Sequence, residues 1–130
     1  DGSFGVVRTE FVQFTDPISG AGLSGKRAPF VPGMDASIAA VYRHPSGFFG
    51  RVELVHQGET FFSDLNNDDF REGGYTLLNA SLGYESDGLL ISVYGQNLTE
   101  EVYYQNISPD LRAGNVGAPM VVGVRCRYAF

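Results

Sequence analysis

The chain ends in the sequence MVVGVRCRYAF, which occupies residues 120–130. Its even positions, from Met120 to Phe130, are apolar or aromatic and include Cys126, whereas Arg125 and Arg127 lie at odd positions. Because successive side chains of a β-strand point to opposite faces of a sheet, this alternation predicts a strand with one apolar and one polar face. The thiol of Cys126 is expected to act as a small hydrophobic group on the apolar face.

The same alternation recurs in the preceding sequence and predicts further strands. In the segment at 89–96, Leu90 and Tyr94 lie on the polar face, so the alternation there is less regular. The predicted segments are residues 34–43, 48–57, 78–84 and 89–96, with a weaker candidate at 3–14.

The connections between these segments alternate in length. Short turns occupy residues 44–47 and 85–88, whereas the links at 15–32, 58–73 and 99–118 are long and polar. Because every second link is long, all the long links must leave the sheet at the same end. The sequence therefore predicts an all-β fold, an antiparallel up-and-down meander of about six strands.

Composition limits the size of the protein and its partners. The 130 residues allow one domain, and the net charge of −6 argues against a nucleic-acid partner, because phosphate binding needs a basic surface. One cysteine forms no internal disulfide and, with only two histidines, no cysteine-rich zinc site. The apolar runs are too short for a membrane helix, but a membrane strand is recognised by alternation and remains open.

Aromatic side chains concentrate near both ends of the predicted strands. Tyr42 and Tyr84 lie beside the short turns, whereas Phe61 and Tyr103 lie near the long links. Two such belts are typical of a transmembrane β-barrel, where they meet the two lipid interfaces. The alternative is a soluble small β-barrel or sandwich that binds a small apolar ligand in its interior.

The short motifs in the long links do not complete a known site. Residues 20–25 match G-x-G-x-x-G, but Pro29 and Pro32 exclude the helix that a dinucleotide-binding loop requires. Residues 64–68 begin like a calcium-binding loop, yet Asp69 and Tyr75 stand where glycine and glutamate are needed. We therefore expect no enzyme activity and no cofactor, and leave open whether the acidic segment 64–72 binds a cation.

Four stretches resemble TonB-dependent outer-membrane receptors. The segment YGQNLTEEVY at 94–103 is similar to a strand end of that family, and 74–84 is similar to the strand before it. Gly117-Ala118-Pro119 resembles the lead into the last strand, although Met120 stands where arginine is common. The ending at 127–130 and the loop GKRAP at 25–29 complete the resemblance, which extends over residues 1–130.

The resemblance implies that residues 1–130 are the C-terminal segment of a 22-stranded transmembrane β-barrel, without its N-terminal plug domain. It implies TonB-energised uptake of a scarce nutrient across the outer membrane of a Gram-negative bacterium, with a ferric siderophore or another iron complex as the first candidate. The implied partners are outer-membrane lipid, TonB through the missing N-terminal region, the small-molecule substrate and the barrel assembly machinery, which would recognise Tyr128 and Phe130.

In such a barrel the short turns are periplasmic and the long links extracellular. The even-numbered positions of the second, third, fourth and sixth strands would face lipid. Two groups of candidate residues follow from this orientation. The residues expected to face the lumen are Arg51, Glu53, Asn79, Arg125 and Arg127, with Glu85 beside them. The residues expected to contact a ligand from the long links are Asn66, Asn67, Asp68, Arg71, Asp110 and Arg112.

Overall fold

The computed structural model describes residues 2–5, 10, 12–13, 15, 17, 20, 22–108 and 113–129. Six strands form one antiparallel sheet, and each strand lies beside the sheet strand that precedes it in the chain. This is the predicted meander. The strands of the sheet are β1 (Gly2–Gly5), β2 (Asp35–Arg43), β3 (Phe48–Gln57), β6 (Tyr75–Ser86), β7 (Leu89–Gln96) and β10 (Val121–Tyr128).

The two short turns keep the strands in register. Asp87 and Gly88 both have positive φ, of 49° and 79°, which is the backbone of a type I′ turn that suits the twist of a hairpin. At the other turn Gly47 has φ of 98°, and a Cβ there would lie 2.3 Å from the carbonyl oxygen of Glu85. Glycine is therefore required at position 47 by both conformation and space.

The long links contain structure that the alternation did not predict. The second carries a short ladder and a 3-10 turn at Asp68–Phe70, and the third carries a hairpin with an irregular register between Tyr104 and Asn106. These pieces are too short to show a periodicity of their own. Their strands are β4 (Thr60–Phe61), β5 (Arg71–Glu72), β8 (Tyr104–Ser108) and β9 (Ala113–Val116).

The first strand differs from its predicted bounds. The sequence pattern suggested a strand over 3–14, whereas β1 covers Gly2–Gly5 and pairs with Asp35–Ile38 of β2. Of the remaining predicted segment, residues 6–9, 11 and 14 lie outside the described residues.

One face of the sheet is apolar, and none of the residues that the structure describes forms a layer packed on it. Ile38, Leu82 and Val124 on this face are 64%, 67% and 70% exposed. Among the described residues, the buried apolar side chains are instead Leu23, Phe62 and Tyr103, all in the long links. The described residues therefore place no core under the sheet and a small core at the end where the long links gather.

No helix within the described ranges is long and apolar enough to cross a membrane.

Candidate functional site

The face opposite the apolar side chains carries a polar depression of about 580 Å³. Arg51 stands opposite Ser81 across β3 and β6, and Arg125 stands opposite Ser92 across β7 and β10. Odd positions of β3, β6 and β10 and even positions of β7 place their side chains together on this face. Four of the five residues that the sequence assigned to the lumen line the depression, namely Arg51, Glu53, Asn79 and Arg125.

Arginine outnumbers glutamate on this polar face, although the chain as a whole is acidic. Arg51 Nη2 donates to Glu53 Oε1 at 2.6 Å. Glu85 lies between two arginines, 4.0 Å from Arg43 and 3.9 Å from Arg127. All of these side chains remain partly exposed, so each pair contributes at most about 1 kcal/mol. These ion pairs therefore add little to the stability of the sheet.

Arg125 has an aromatic partner on the same face. Its guanidinium carbon lies 5.8 Å from the centre of the Tyr94 ring. The same ring covers Gly123, where a Cβ would lie 2.5 Å from the Tyr94 hydroxyl oxygen. A side chain on Gly123 would therefore push the Tyr94 ring away from its position beside Arg125.

Asn79 joins the polar face to the third long link through Asn97. The Asn79 side-chain oxygen accepts a hydrogen bond from the Asn97 backbone N–H at 3.1 Å. Asn97 is 4% exposed, and its amide donates to the carbonyl oxygens of Glu101 and Ala118 at 2.9 and 3.0 Å and accepts from the Glu101 N–H at 2.9 Å. One buried side chain thus holds both ends of the link against the end of β7.

Sequence reasoning missed this role of Asn97. Asn97 lies just past the end of β7 with φ of +49°. Asparagine adopts this left-handed conformation more readily than most residues. The available signal was the position of Asn97 inside the family-like segment 94–103.

The ligand candidates of the second long link are engaged in contacts within the protein. The Asn66 amide binds the main chain of Arg27, and the Asn67 side chain accepts from the Asp69 N–H at 3.0 Å. Arg71 lies 3.4 Å from Asp68 and 2.8 Å from Glu59. The structure places these candidates on one surface, and their contacts also stabilise the conformation of the second long link.

Aromatic side chains fill the space between the long links. The rings of Tyr75 and Tyr103 stack with centroids 4.2 Å apart, and Phe30 lies 5.7 Å from Phe62. Tyr75 also donates from its hydroxyl to the side-chain oxygen of Gln57. A pocket of about 200 Å³ opens between these rings and the ends of the strands.

The remaining sequence-based candidates fall elsewhere. Asp110, Arg112 and Phe130 lie outside the described residues. Tyr128 ends β10 and is 63% exposed, in phase with the apolar positions. Within the part of the chain that the structure describes, no three His, Cys, Asp or Glu side chains are grouped to hold a metal ion.

The sheet has an exposed apolar face and a charged opposite face. It has short turns at one end and long structured links at the other. Together these features define the wall of a transmembrane β-barrel. A family model described as "TonB dependent receptor-like, beta-barrel" matches residues 2–98, and the chain belongs to this family. It is a family of transport receptors rather than of enzymes.

Among solved structures, the chain is similar to an iron-complex uptake receptor. The ferric yersiniabactin uptake receptor FyuA from Yersinia pestis superposes with a TM-score of 0.71 at 29% sequence identity, over 83% of this chain and 18% of that receptor. The chain thus corresponds to a segment of a large β-barrel and spans less than a fifth of the receptor it matches.

Proposed function

We propose that the chain is the C-terminal barrel segment of an outer-membrane receptor that takes up a ferric siderophore or a similar iron complex. The observation that carries this proposal is the combined match to the receptor-barrel family over residues 2–98 and to a ferric siderophore receptor at 29% identity. In this proposal transport draws its energy from TonB through a region N-terminal to residue 1, and the protein resides in the outer membrane of a Gram-negative bacterium.

The two faces of the sheet support distinct roles in such a receptor. The apolar face would contact lipid, which explains why side chains such as Leu82 and Val124 need no protein partner. The polar face would line the lumen, where Arg51, Glu53, Asn79, Arg125 and Arg127 would meet water and the plug domain. Charge is tolerated on that side of a barrel strand and is costly on the other.

The long links would then lie outside the cell. There Asn66, Asn67, Asp68 and Arg71 form part of a structured surface, to which Asp110 and Arg112 would add. At the opposite end of the sheet, Tyr128 and Phe130 would serve as the signal for the barrel assembly machinery.

The test is iron uptake by the full-length receptor. We would express it in a Gram-negative strain that lacks its own siderophore receptors and measure accumulation of radiolabelled iron supplied as ferric yersiniabactin or as other ferric siderophores. We expect uptake that requires both the receptor and TonB. Equal uptake by cells without the receptor, for every ferric complex tried, would contradict the proposal.

The alternative of a soluble small barrel requires a closed sheet that hides its apolar side chains. Across the described residues, β1 and β10 are the outer strands of the sheet. β1 pairs with β2 and β10 pairs with β7, so the two outer strands do not pair with each other. Expression of residues 1–130 without detergent separates the two hypotheses. We expect aggregation, because the apolar face and both sheet edges are uncovered; a monodisperse soluble monomer would support the alternative.

A further inference from the structure

The first and second long links are joined through the main chain of one residue. We call the links at 15–32, 58–73 and 99–118 the first, second and third loops. The Asn66 side-chain oxygen accepts from the Arg27 N–H at 2.6 Å, and its amide nitrogen donates to the Arg27 carbonyl oxygen at 2.9 Å. One side chain of the second loop therefore satisfies both backbone polar groups of a residue in the first.

Glu59 makes a second connection between the same two loops. Its Oε1 accepts from Arg27 Nη1 at 2.9 Å and its Oε2 accepts from Arg71 Nη1 at 2.8 Å, so both carboxylate oxygens are engaged. The backbone adds two bonds nearby, from the Phe30 N–H to the Phe61 oxygen and from the Gly33 N–H to the Glu59 oxygen. Arg27 is thus fixed through its main chain and its side chain.

The third loop is attached to the second in turn. A carboxylate oxygen of Glu72 accepts from the Tyr104 N–H at 2.6 Å, at the first residue of the β8–β9 hairpin. The Tyr103 ring, which is 7% exposed, stacks on Tyr75 where the second loop enters β6. The second loop therefore contacts both of the others and lies at the centre of the arrangement.

We propose that Asn66 and Glu59 are positioning residues that couple the described parts of the three loops, so that these parts open locally as one unit. The buried apolar side chains available to the loops in the described ranges are few, namely Leu23, Phe62 and Tyr103. A region with few buried apolar contacts opens locally at a low free energy. The polar contacts that join the loops therefore make up a larger share of that free energy.

Trypsin digestion of the full-length receptor in outer membranes tests the first connection. Trypsin cleaves after Lys26 and Arg27, and a protease needs a locally opened segment. Asn66→Gly removes the side chain while tolerating the φ of +51° at this position. We expect cleavage at Lys26 or Arg27 to become about tenfold faster in Asn66→Gly and in Glu59→Gln, because each loses polar contacts to Arg27.

Asn67→Ala is the matched control. The Asn67 side chain accepts from the Asp69 N–H inside the second loop. This variant should therefore be cleaved after Arg27 at the wild-type rate. Heat-modifiable migration of each variant establishes that its barrel has assembled, and Glu59→Gln serves if Asn66→Gly fails to assemble.

Hydrogen–deuterium exchange, read by mass spectrometry, tests whether the three loops act as a unit. In Asn66→Gly we expect faster exchange in peptides covering 23–33 and also in those covering 103–108, which Asn66 does not contact. Faster exchange in 23–33 alone, or unchanged cleavage and exchange in both variants, would overturn the proposal. If the coupling holds but no ferric complex is transported, the proposed function fails and the coupling stands.

Discussion

At the scale of single residues, Asn97 connects more of the structure than its short side chain suggests. We expect Asn97→Asp to destabilise the third loop by about 2 kcal/mol, because a carboxylate cannot donate to the Glu101 and Ala118 carbonyl oxygens that the amide now satisfies. Hydrogen–deuterium exchange over 97–118 in the full-length receptor measures the effect. Asn115→Asp, at an exposed position of the same loop, should leave exchange unchanged.

Gly117 gives a second prediction at this scale, based on space. A Cβ on Gly117 would lie 2.1 Å from the Tyr103 ring, which itself stacks on Tyr75. We expect Gly117→Ala to cost about 1–3 kcal/mol, because the buried ring must leave its position. Gly73→Ala is the control, since nothing lies within 4 Å of a Cβ there.

Thermal unfolding of the detergent-solubilised receptor compares the two glycine variants. If the Gly73 variant shows the same decrease in unfolding temperature as the Gly117 variant, the Tyr103 contact is not the cause of that decrease.

At the scale of elements, the strand phase decides which face each side chain joins. Ile38 and Ala39 are neighbours in β2, yet Ile38 stands opposite Leu54 and Ala39 stands opposite Glu53. We expect Ile38→Arg to cost about 2–4 kcal/mol, because it places a guanidinium in lipid. Ala39→Arg should cost less, since it adds the charge to the polar face opposite a carboxylate.

The measurement is the fraction of full-length receptor that shows heat-modifiable migration in outer-membrane extracts. Equal assembly of the two variants would contradict the assignment of the even-numbered face to lipid.

Two short elements in the long links show what the alternation of apolar and polar residues cannot predict. The β4–β5 ladder and the β8–β9 hairpin comprise strands of two to five residues, too short for a period to be read. Gly123 illustrates the same limit within a strand. Its phase places it on the polar face, but its position beneath the Tyr94 ring depends on a neighbouring strand and makes it a poor site for an added side chain.

At the scale of the whole molecule, the terminal aromatic residue tests the link between sequence and assembly. Removal of Phe130 should lower the fraction of assembled receptor, since an aromatic ring at this end is expected to anchor the periplasmic interface and to form part of the assembly signal. Phe130→Tyr should retain assembly. Heat-modifiable migration reports the outcome, and full assembly after the deletion would contradict the role of Phe130.

The sequence by itself determined the meander and the division of its faces. Strand phase needs only the alternation of side chains, so Arg51 and Arg125 could be assigned to one face and Val124 to the other without coordinates. The order of the strands followed from link lengths, because antiparallel neighbours are joined by short turns or by long loops at one end. These are local properties of the chain.

Only the tertiary structure decided how the long loops meet. Asn66 contacts Arg27, which is 39 residues away, and Asn97 contacts Ala118, which is 21 residues away. Such pairs depend on how irregular backbones are brought together by the sheet beneath them, and no periodicity records them. Residues predicted from the sequence to be exposed ligand contacts therefore also hold the loops together. A polar group that is buried, or that bridges two loops, needs a hydrogen-bond partner, and the fold determines where that partner lies.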